Sequence, residues 1–165
     1  MKSLPALSRL LPALHLALTV STLAAASAAS AAAASAAAQG VRLHGLKGEQ
    51  LTEADLSQGT SIVVLWASWS PRSRDIVERV NPIAGRWGGR ARVVLVNFQE
   101  DAPVVQGFLA GKSLAVPVFL DSDGAFAKKY AVATLPGLLV VKDGQVVYRG
   151  KLPEDPDRTL AELLH

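Results

Sequence analysis

The stretch Ile62-Val-Val-Leu-Trp-Ala-Ser-Trp-Ser-Pro-Arg-Ser-Arg74 decides the fold of this chain. Residues 62–66 are all β-branched, aliphatic or aromatic and do not alternate with polar residues, which is typical of a strand buried on both faces. A short turn follows. Ser70 then offers a hydroxyl as N-cap, and Pro71 suits the first helical position because its missing N–H costs nothing there. The stretch therefore predicts a buried strand that leads into a helix beginning at Ser70.

The same stretch carries a recognisable motif. Residues 66–74, Trp-Ala-Ser-Trp-Ser-Pro-Arg-Ser-Arg, resemble the active-site segment W-A-S-W-C-P-x-C-R of thioredoxin-like proteins, most closely the exported TlpA/ResA-type thiol–disulfide oxidoreductases. Every fixed position agrees except the two cysteines, which are replaced here by Ser70 and Ser73. Many of these proteins have a glutamate three residues further on, where this chain has Ile76. The resemblance implies the thioredoxin fold. It does not carry over the family's thiol–disulfide exchange, because an alcohol forms no disulfide and does not ionise as a thiol does.

The rest of the chain predicts an α/β fold, a central mixed sheet with helices on both faces. Pro82 is expected to kink or split the first helix near Asn81. The resemblance implies that the strand and helix over 116–130 are the insertion that TlpA/ResA-type domains carry. The elements expected are a hairpin over 41–51, a helical turn at 52–56, a helix over 70–86, a strand over 92–98, a helix capped by Asp101, a strand over 116–120, a short helix to Tyr130, strands at 138–142 and 145–149 around an Asp143-Gly144 turn, and a helix from Asp155.

A targeting segment is predicted at residues 1–38. Lys2 and Arg9 give a basic start, the apolar run 10–23 is too short to span a bilayer, and small residues with several A-x-A sites follow. This is the pattern of a secretory signal peptide. Residues 39–165 are then predicted to be one thioredoxin-like domain, exported to the periplasm or another extracytoplasmic compartment, with no membrane span after cleavage.

Composition and charge exclude several classes of function. The chain has 17 Lys and Arg against 14 Asp and Glu, and two of the basic residues lie in 1–38, so the predicted domain is nearly neutral and nucleic-acid binding is not expected. The absence of cysteine excludes disulfides and thiolate metal sites. Asp121-Ser-Asp-Gly124 begins like a calcium loop but lacks the distal glutamate, so it predicts a turn. Neither a metal nor a cofactor is expected.

A binding groove is predicted from two anchor points. The resemblance implies that Pro136 is a cis proline facing the active-site helix, and that Leu135 pairs its backbone with an extended substrate peptide. The alternative for Pro136 is a trans proline that opens an edge strand. Trp69 is expected to be exposed beside the turn, whereas Trp66 is expected in the core. The predicted groove residues are Trp69, Ser70, Pro71, Arg72, Leu135 and Pro136.

The residues at the turn also suggest two other chemistries. A nucleophilic Ser70 would need a positioned base, and the only histidines beyond residue 38 are His44 and His165, neither with a clear route to the turn. Arg72 and Arg74 could hold a carboxylate or phosphate together with the free N–H groups of the helix start. The simpler interpretation is that both arginines are solvated.

Three functions are therefore open. The leading hypothesis is a redox-inactive protein that binds an extended polypeptide or an exported partner protein in the groove. The second is an oxidoreductase-family protein that acts with a cysteine supplied by its partner. The third is a structural scaffold that acts through another surface.

Overall fold

The computed structural model describes residues 40–164; the predicted signal segment, residues 1–38, lies outside the described residues. The strands are β1 (Arg42–Gly45), β2 (Gln50–Thr52), β3 (Thr60–Trp66), β4 (Arg92–Phe98), β5 (Val118–Asp121), β6 (Gly137–Lys142) and β7 (Gln145–Lys151). The helices are α1 (Glu53–Leu56), α2 (Ile76–Trp87), α3 (Ala102–Leu109), α4 (Ala125–Lys129) and α5 (Pro156–Leu163), with a 3₁₀ turn at Pro71–Ser73. None of the helices in this part of the chain is long and apolar enough to cross a membrane.

One mixed sheet of seven strands, in the order β2-β1-β5-β4-β3-β6-β7, organises the fold. The decisive strand β3 is near its centre, parallel to β4 and antiparallel to β6. β4 is in turn parallel to β5. The carboxyl ends of β3, β4 and β5 therefore meet at one edge of the sheet, which is where sites form in sheets of this kind. The predicted mixed sheet is confirmed.

Helices cover both faces of this sheet, as predicted. Alternate residues of β3 enter two different cores, because successive side chains of a strand point to opposite faces. Ile62, Val64 and Trp66 pack with α2, α3 and α5, whereas Val63 and Leu65 pack with α1 and α4. β5 and α4 form the predicted strand–helix insertion. The predicted Asp143-Gly144 hairpin turn is also observed, with positive φ at both residues.

The helix that follows β3 differs from the prediction in where it begins and in the effect of Pro82. A 3₁₀ turn comes first, then Arg74 and Asp75, and only then α2. Pro82 lies inside α2, so the split expected near Asn81 is wrong. A proline removes one N–H from the helix, and the apolar face of α2 outweighs that loss by packing into the core. The buried residues of this face are Ile76, Val77, Val80, Ile83 and Trp87.

The stretch 121–124 is a turn built around a buried carboxylate. Asp121 is fully buried and accepts hydrogen bonds from the backbone N–H groups of Phe126 and Ala127, both at 2.9 Å. Burial raises the pKa of Asp121 above its ordinary value, against the lowering effect of these hydrogen bonds. The Asp121 side chain thus anchors the start of α4. Residues 40–164 contain no group of three or more His, Asp or Glu arranged to hold a metal ion.

Replacing Asp55 by asparagine is expected to lower stability at neutral pH but not at strongly acidic pH. Asp55 forms a capping box with Thr52 at the start of α1, and its carboxylate pairs with Arg92 at 2.8 Å. The Arg92 hydrogen bond, followed by those of Thr52, lowers the pKa of Asp55 from 3.8 to about 2. A lowered folded-state pKa stabilises the protein above the unfolded-state pKa, and this contribution is lost as the pH falls from about 4 to about 2. Because the side chain is a third exposed, we expect about 1 kcal/mol at pH 7.

Urea unfolding of the wild type and Asp55→Asn at pH 7 and at pH 2.5 measures this difference. The gap in the free energy of unfolding should shrink at the lower pH. A gap of the same size at both pH values would contradict the assignment of the stabilisation to the ionised carboxylate.

Candidate polypeptide-binding groove

The predicted motif lies where the chain leaves β3 at the carboxyl edge of the sheet. The backbone N–H of Ser73 donates to the carbonyl of Ser70 at 2.9 Å, which closes the 3₁₀ turn. Side chains three residues apart eclipse each other in such a turn. Ser70 and Ser73 therefore lie on the same side, one above the other. Ser70 is 6% exposed and Ser73 is fully buried.

The two predicted anchor points meet in the fold. The Ser70 hydroxyl donates to the carbonyl oxygen of Leu135 at 3.4 Å, and the Leu135–Pro136 peptide bond is cis. Pro136 is buried, and Leu135 is half-buried beside the turn. The prediction that the Ser70 hydroxyl caps the helix is wrong, because it makes no cap hydrogen bond. Instead of accepting from a backbone N–H of the turn, the hydroxyl donates to the carbonyl of the proline loop.

The groove residues divide into an exposed rim and a buried floor. Trp69 is 61% exposed, the highest fraction among the large apolar side chains of the described residues. Pro71 and Arg72 are exposed as well, whereas Ser70 and Pro136 are buried. Trp66 is fully buried, so the predicted division between the two tryptophans is confirmed. The indole of Trp69 therefore presents apolar surface to solvent next to Leu135's loop.

The backbone of Leu135 has unused hydrogen-bonding capacity. Its N–H has no hydrogen-bond partner among residues 40–164, and its carbonyl accepts only the long bond from Ser70. Strand pairing begins two residues later, where Gly137 pairs with Leu65 and Lys151. A Cβ on Gly137 would lie 2.6 Å from the carbonyl oxygen of Thr134, so only glycine allows this tight approach. The loop thus presents one free peptide group at the floor of the groove.

Glu100, which the sequence analysis missed, holds the turn from the neighbouring strand. Its carboxylate accepts the backbone N–H of Ser68 at 2.7 Å and also accepts the Ser68 hydroxyl. The same carboxylate accepts Nδ2 of Asn97 at 2.7 Å. Gln99, which lies between Asn97 and Glu100 in the chain, adopts a left-handed conformation with φ 55°, which is uncommon for a residue other than glycine. Glu100 therefore fixes the residue directly before Trp69.

A signal for Glu100 was present in the sequence. Asn97 is near the end of a predicted strand, and Glu100 lies two residues beyond the end of that strand. Because β3 and β4 are parallel, polar side chains that follow the two strands meet at the same edge. The family resemblance instead directs attention to the helix, where the glutamate position is occupied by Ile76. The carboxylate of Glu100 reaches the turn from β4, whereas Ile76 is fully buried in the core.

Ser73 is a poor fit to its own environment. Its hydroxyl is buried and has no hydrogen-bond partner among the described residues. Burying a polar group in this way costs about 1–3 kcal/mol, whereas a cysteine side chain behaves as a small apolar group. The cavity around residue 73 therefore suits sulfur better than oxygen.

The alternative chemistries find no support in this geometry. His44 lies on β1, which β5 and β4 separate from β3, so it offers no base to Ser70; His165 lies outside the described residues. Arg72 and Arg74 are exposed and make no ion pair within residues 40–164. Because α2 begins only at Ile76, its first N–H groups do not lie at the Ser70–Pro71 turn as expected.

Comparison with known proteins agrees with this architecture. The Redoxin family model matches residues 30–164. Sporulation thiol-disulfide oxidoreductase A of Bacillus subtilis is 24% identical over 111 residues, which cover 65% of this chain and 67% of that protein.

Two solved structures illustrate the likeness in fold. The pneumococcal exposed lipoprotein thioredoxin Etrx1 of Streptococcus pneumoniae gives a TM-score of 0.65 at 21% identity, covering 74% of this chain and 96% of that one. A secreted disulfide oxidoreductase of Mycobacterium tuberculosis gives 0.62 at 18% identity, covering 74% and 93%. The family match extends over most of the chain and includes the whole described sheet. The motif that follows β3 has serine at both cysteine positions. The chain therefore belongs to the Redoxin family of thioredoxin-like thiol–disulfide oxidoreductases, as a member without the active-site cysteines.

Proposed function

We propose that this protein is an exported, redox-inactive member of its family that binds an extended polypeptide, or an extended segment of an exported partner protein, in the groove around Trp69 and Leu135. The observation that carries the proposal is the free backbone N–H of Leu135 next to the exposed Trp69. A backbone donor and an apolar side chain together are what an extended peptide needs, since its own peptide groups must be paired and its side chains buried.

Each part of the groove has a physical role in this proposal. The Leu135 N–H donates to a peptide carbonyl, a contact worth about 0.5–1.5 kcal/mol. Trp69 contributes most, because large aromatic side chains that a bound partner buries dominate binding energies. Arg72 lies at the solvated rim and contributes little affinity. Ser70 and Pro136 shape the floor.

Export is part of the same proposal. The predicted signal peptide supports it, as do the printed descriptions of two structural relatives as secreted and as an exposed lipoprotein. A groove of this kind would then meet polypeptides that are still extended after crossing a membrane.

Replacing Trp69 by alanine is expected to weaken polypeptide binding at least about tenfold, which corresponds to ~1.4 kcal/mol. The probe is fluorescein-labelled α-lactalbumin that has been reduced and carboxymethylated, and the measurement is fluorescence anisotropy. This probe is permanently unfolded, and its blocked thiols prevent any exchange reaction. The wild type is expected to bind it in the micromolar range.

Val146→Ala is the matched control, because Val146 is also an exposed apolar residue, 40% exposed. It lies on β7 at the far end of the sheet and should leave binding unchanged. Absence of wild-type binding would refute the proposal. Equal binding by the wild type and Trp69→Ala would instead favour a scaffold that acts through another surface.

A further inference from the structure

A second concave surface lies beside α4 and the residues that precede the Leu135 loop. It is open to solvent and has a volume of about 460 Å³. Its floor consists of Phe98, Ala127 and Val132, its rim carries Asp123 and Lys128, and Ala133 borders it. Ala127 and Val132 belong to the core on this face of the sheet, so the floor is an opening into apolar packing. We refer to this cavity as the side pocket.

Both walls of the side pocket are linked through the chain to the proposed groove. Ala133 precedes Leu135 by two residues, which is about 7 Å of backbone at most. On the opposite wall, Gln99 lines the pocket and is followed by Glu100, whose carboxylate holds the turn that carries Trp69. Alternate side chains of an extended chain are about 7 Å apart. When one residue of an extended peptide pairs with Leu135, the residue two positions further along the peptide is therefore within reach of the pocket.

The chemistry of the lining indicates what the side pocket accepts. The floor is apolar, and the two rim charges are of opposite sign, so the pocket offers no net charge to select an acid or a base. Its volume accommodates one large side chain. We infer that the side pocket is a specificity subsite that takes one large apolar side chain, aromatic or leucine-sized, from a polypeptide bound at Leu135. This inference rests on the proposed function and adds a sequence preference to it.

Ala133→Trp should fill the side pocket and weaken binding of the carboxymethylated α-lactalbumin probe about tenfold. Ala133 is exposed, so the larger side chain should not disturb the core. The matched control is Ala110→Trp, which places the same side chain in a different cavity, beside Leu109 and Lys112 at the end of α3. The control variant should bind as the wild type does.

A second measurement reports on the pocket without a long polypeptide. ¹H–¹⁵N spectra of the full chain are recorded during titration with N-acetyl-phenylalaninamide and, separately, N-acetyl-lysinamide. The aromatic amide should shift the backbone signals of Gly124, Lys128 and Ala133 in a saturable way, and the lysine amide should not. Ala133→Trp should abolish these shifts.

The outcomes separate the subsite from the groove. If the wild type binds the unfolded probe and Ala133→Trp binds it equally well, the subsite is overturned and the proposed function remains. If the wild type does not bind the probe, the proposed function fails, and the titration decides the pocket alone: saturable shifts support an apolar side-chain site, and their absence overturns it. Equal shifts with the lysine amide also overturn the inferred preference.

Discussion

Replacing both Ser70 and Ser73 by cysteine is expected to create a redox-active protein. The 3₁₀ turn stacks these two positions, and they are joined by the 2.9 Å hydrogen bond from Ser73 N–H to the Ser70 carbonyl. Side chains that eclipse in this way suit the Cβ separation of a disulfide, about 3.5–4.5 Å. The buried, unpartnered hydroxyl of Ser73 adds a second reason, because a sulfur atom at that position relieves the cost of an unsatisfied polar group.

Turbidimetric reduction of insulin by dithiothreitol measures the effect. The double variant is expected to accelerate the reaction at least about tenfold over a blank without protein, since it supplies both the thiol that attacks a disulfide and the thiol that resolves the mixed disulfide. The wild type, Ser70→Cys and Ser73→Cys should remain at the blank rate, because one thiol cannot resolve a mixed disulfide.

Mass spectrometry after mild oxidation should show a loss of two hydrogens in the double variant alone. A double variant that keeps both thiols free after oxidation would show that the turn has lost the family geometry along with the cysteines.

The sequence was sufficient for the parts of the fold that follow from short-range patterns. The unbroken apolar run 62–66 predicted a central buried strand, and Asp143-Gly144 predicted a hairpin turn, because each depends on the residues themselves. A kink or split at Pro82 was predicted in the same way, and the split is not observed, since α2 is held by its buried face rather than by propensity. Local rules therefore failed where tertiary packing provided the larger free energy.

The candidate site depended more on contacts between distant residues. The motif at 66–74 and the proline at 136 indicated the candidate groove, and the fold brings these two segments together through Ser70 and the Leu135 carbonyl. The partner of the Ser70 hydroxyl could not be predicted, because the local cap bond would come from a neighbouring N–H, whereas the observed acceptor is a carbonyl 65 residues away in the chain. Glu100 was missed for the same reason, as its three hydrogen bonds join β4 to the turn after β3. The identity of the polypeptide in the proposed function has no signature in the sequence.

Replacing Glu100 by alanine is expected to lower the free energy of unfolding by about 2–4 kcal/mol and to release the turn that carries Trp69. The substitution removes three hydrogen bonds to one carboxylate. It leaves the Ser68 N–H without a partner and the fully buried Asn97 amide unpaired. Urea unfolding measures the stability, and amide hydrogen exchange at Ser68 measures the turn, where protection should be lost.

The neighbouring residue provides the control for this prediction. Asp101 is also acidic, is exposed, and makes no side-chain cap hydrogen bond at the start of α3. Asp101→Ala should therefore change stability by no more than about 0.5 kcal/mol and leave Ser68 protected. Glu100→Gln should fall between the two, because an amide can accept from Ser68 but cannot accept all three hydrogen bonds on equal terms.

If Glu100→Ala lost stability but kept Ser68 protected and bound the unfolded probe as the wild type does, Glu100 would support the sheet alone. Loss of protection at Ser68 together with weaker probe binding would make Glu100 the residue that positions Trp69 for its partner.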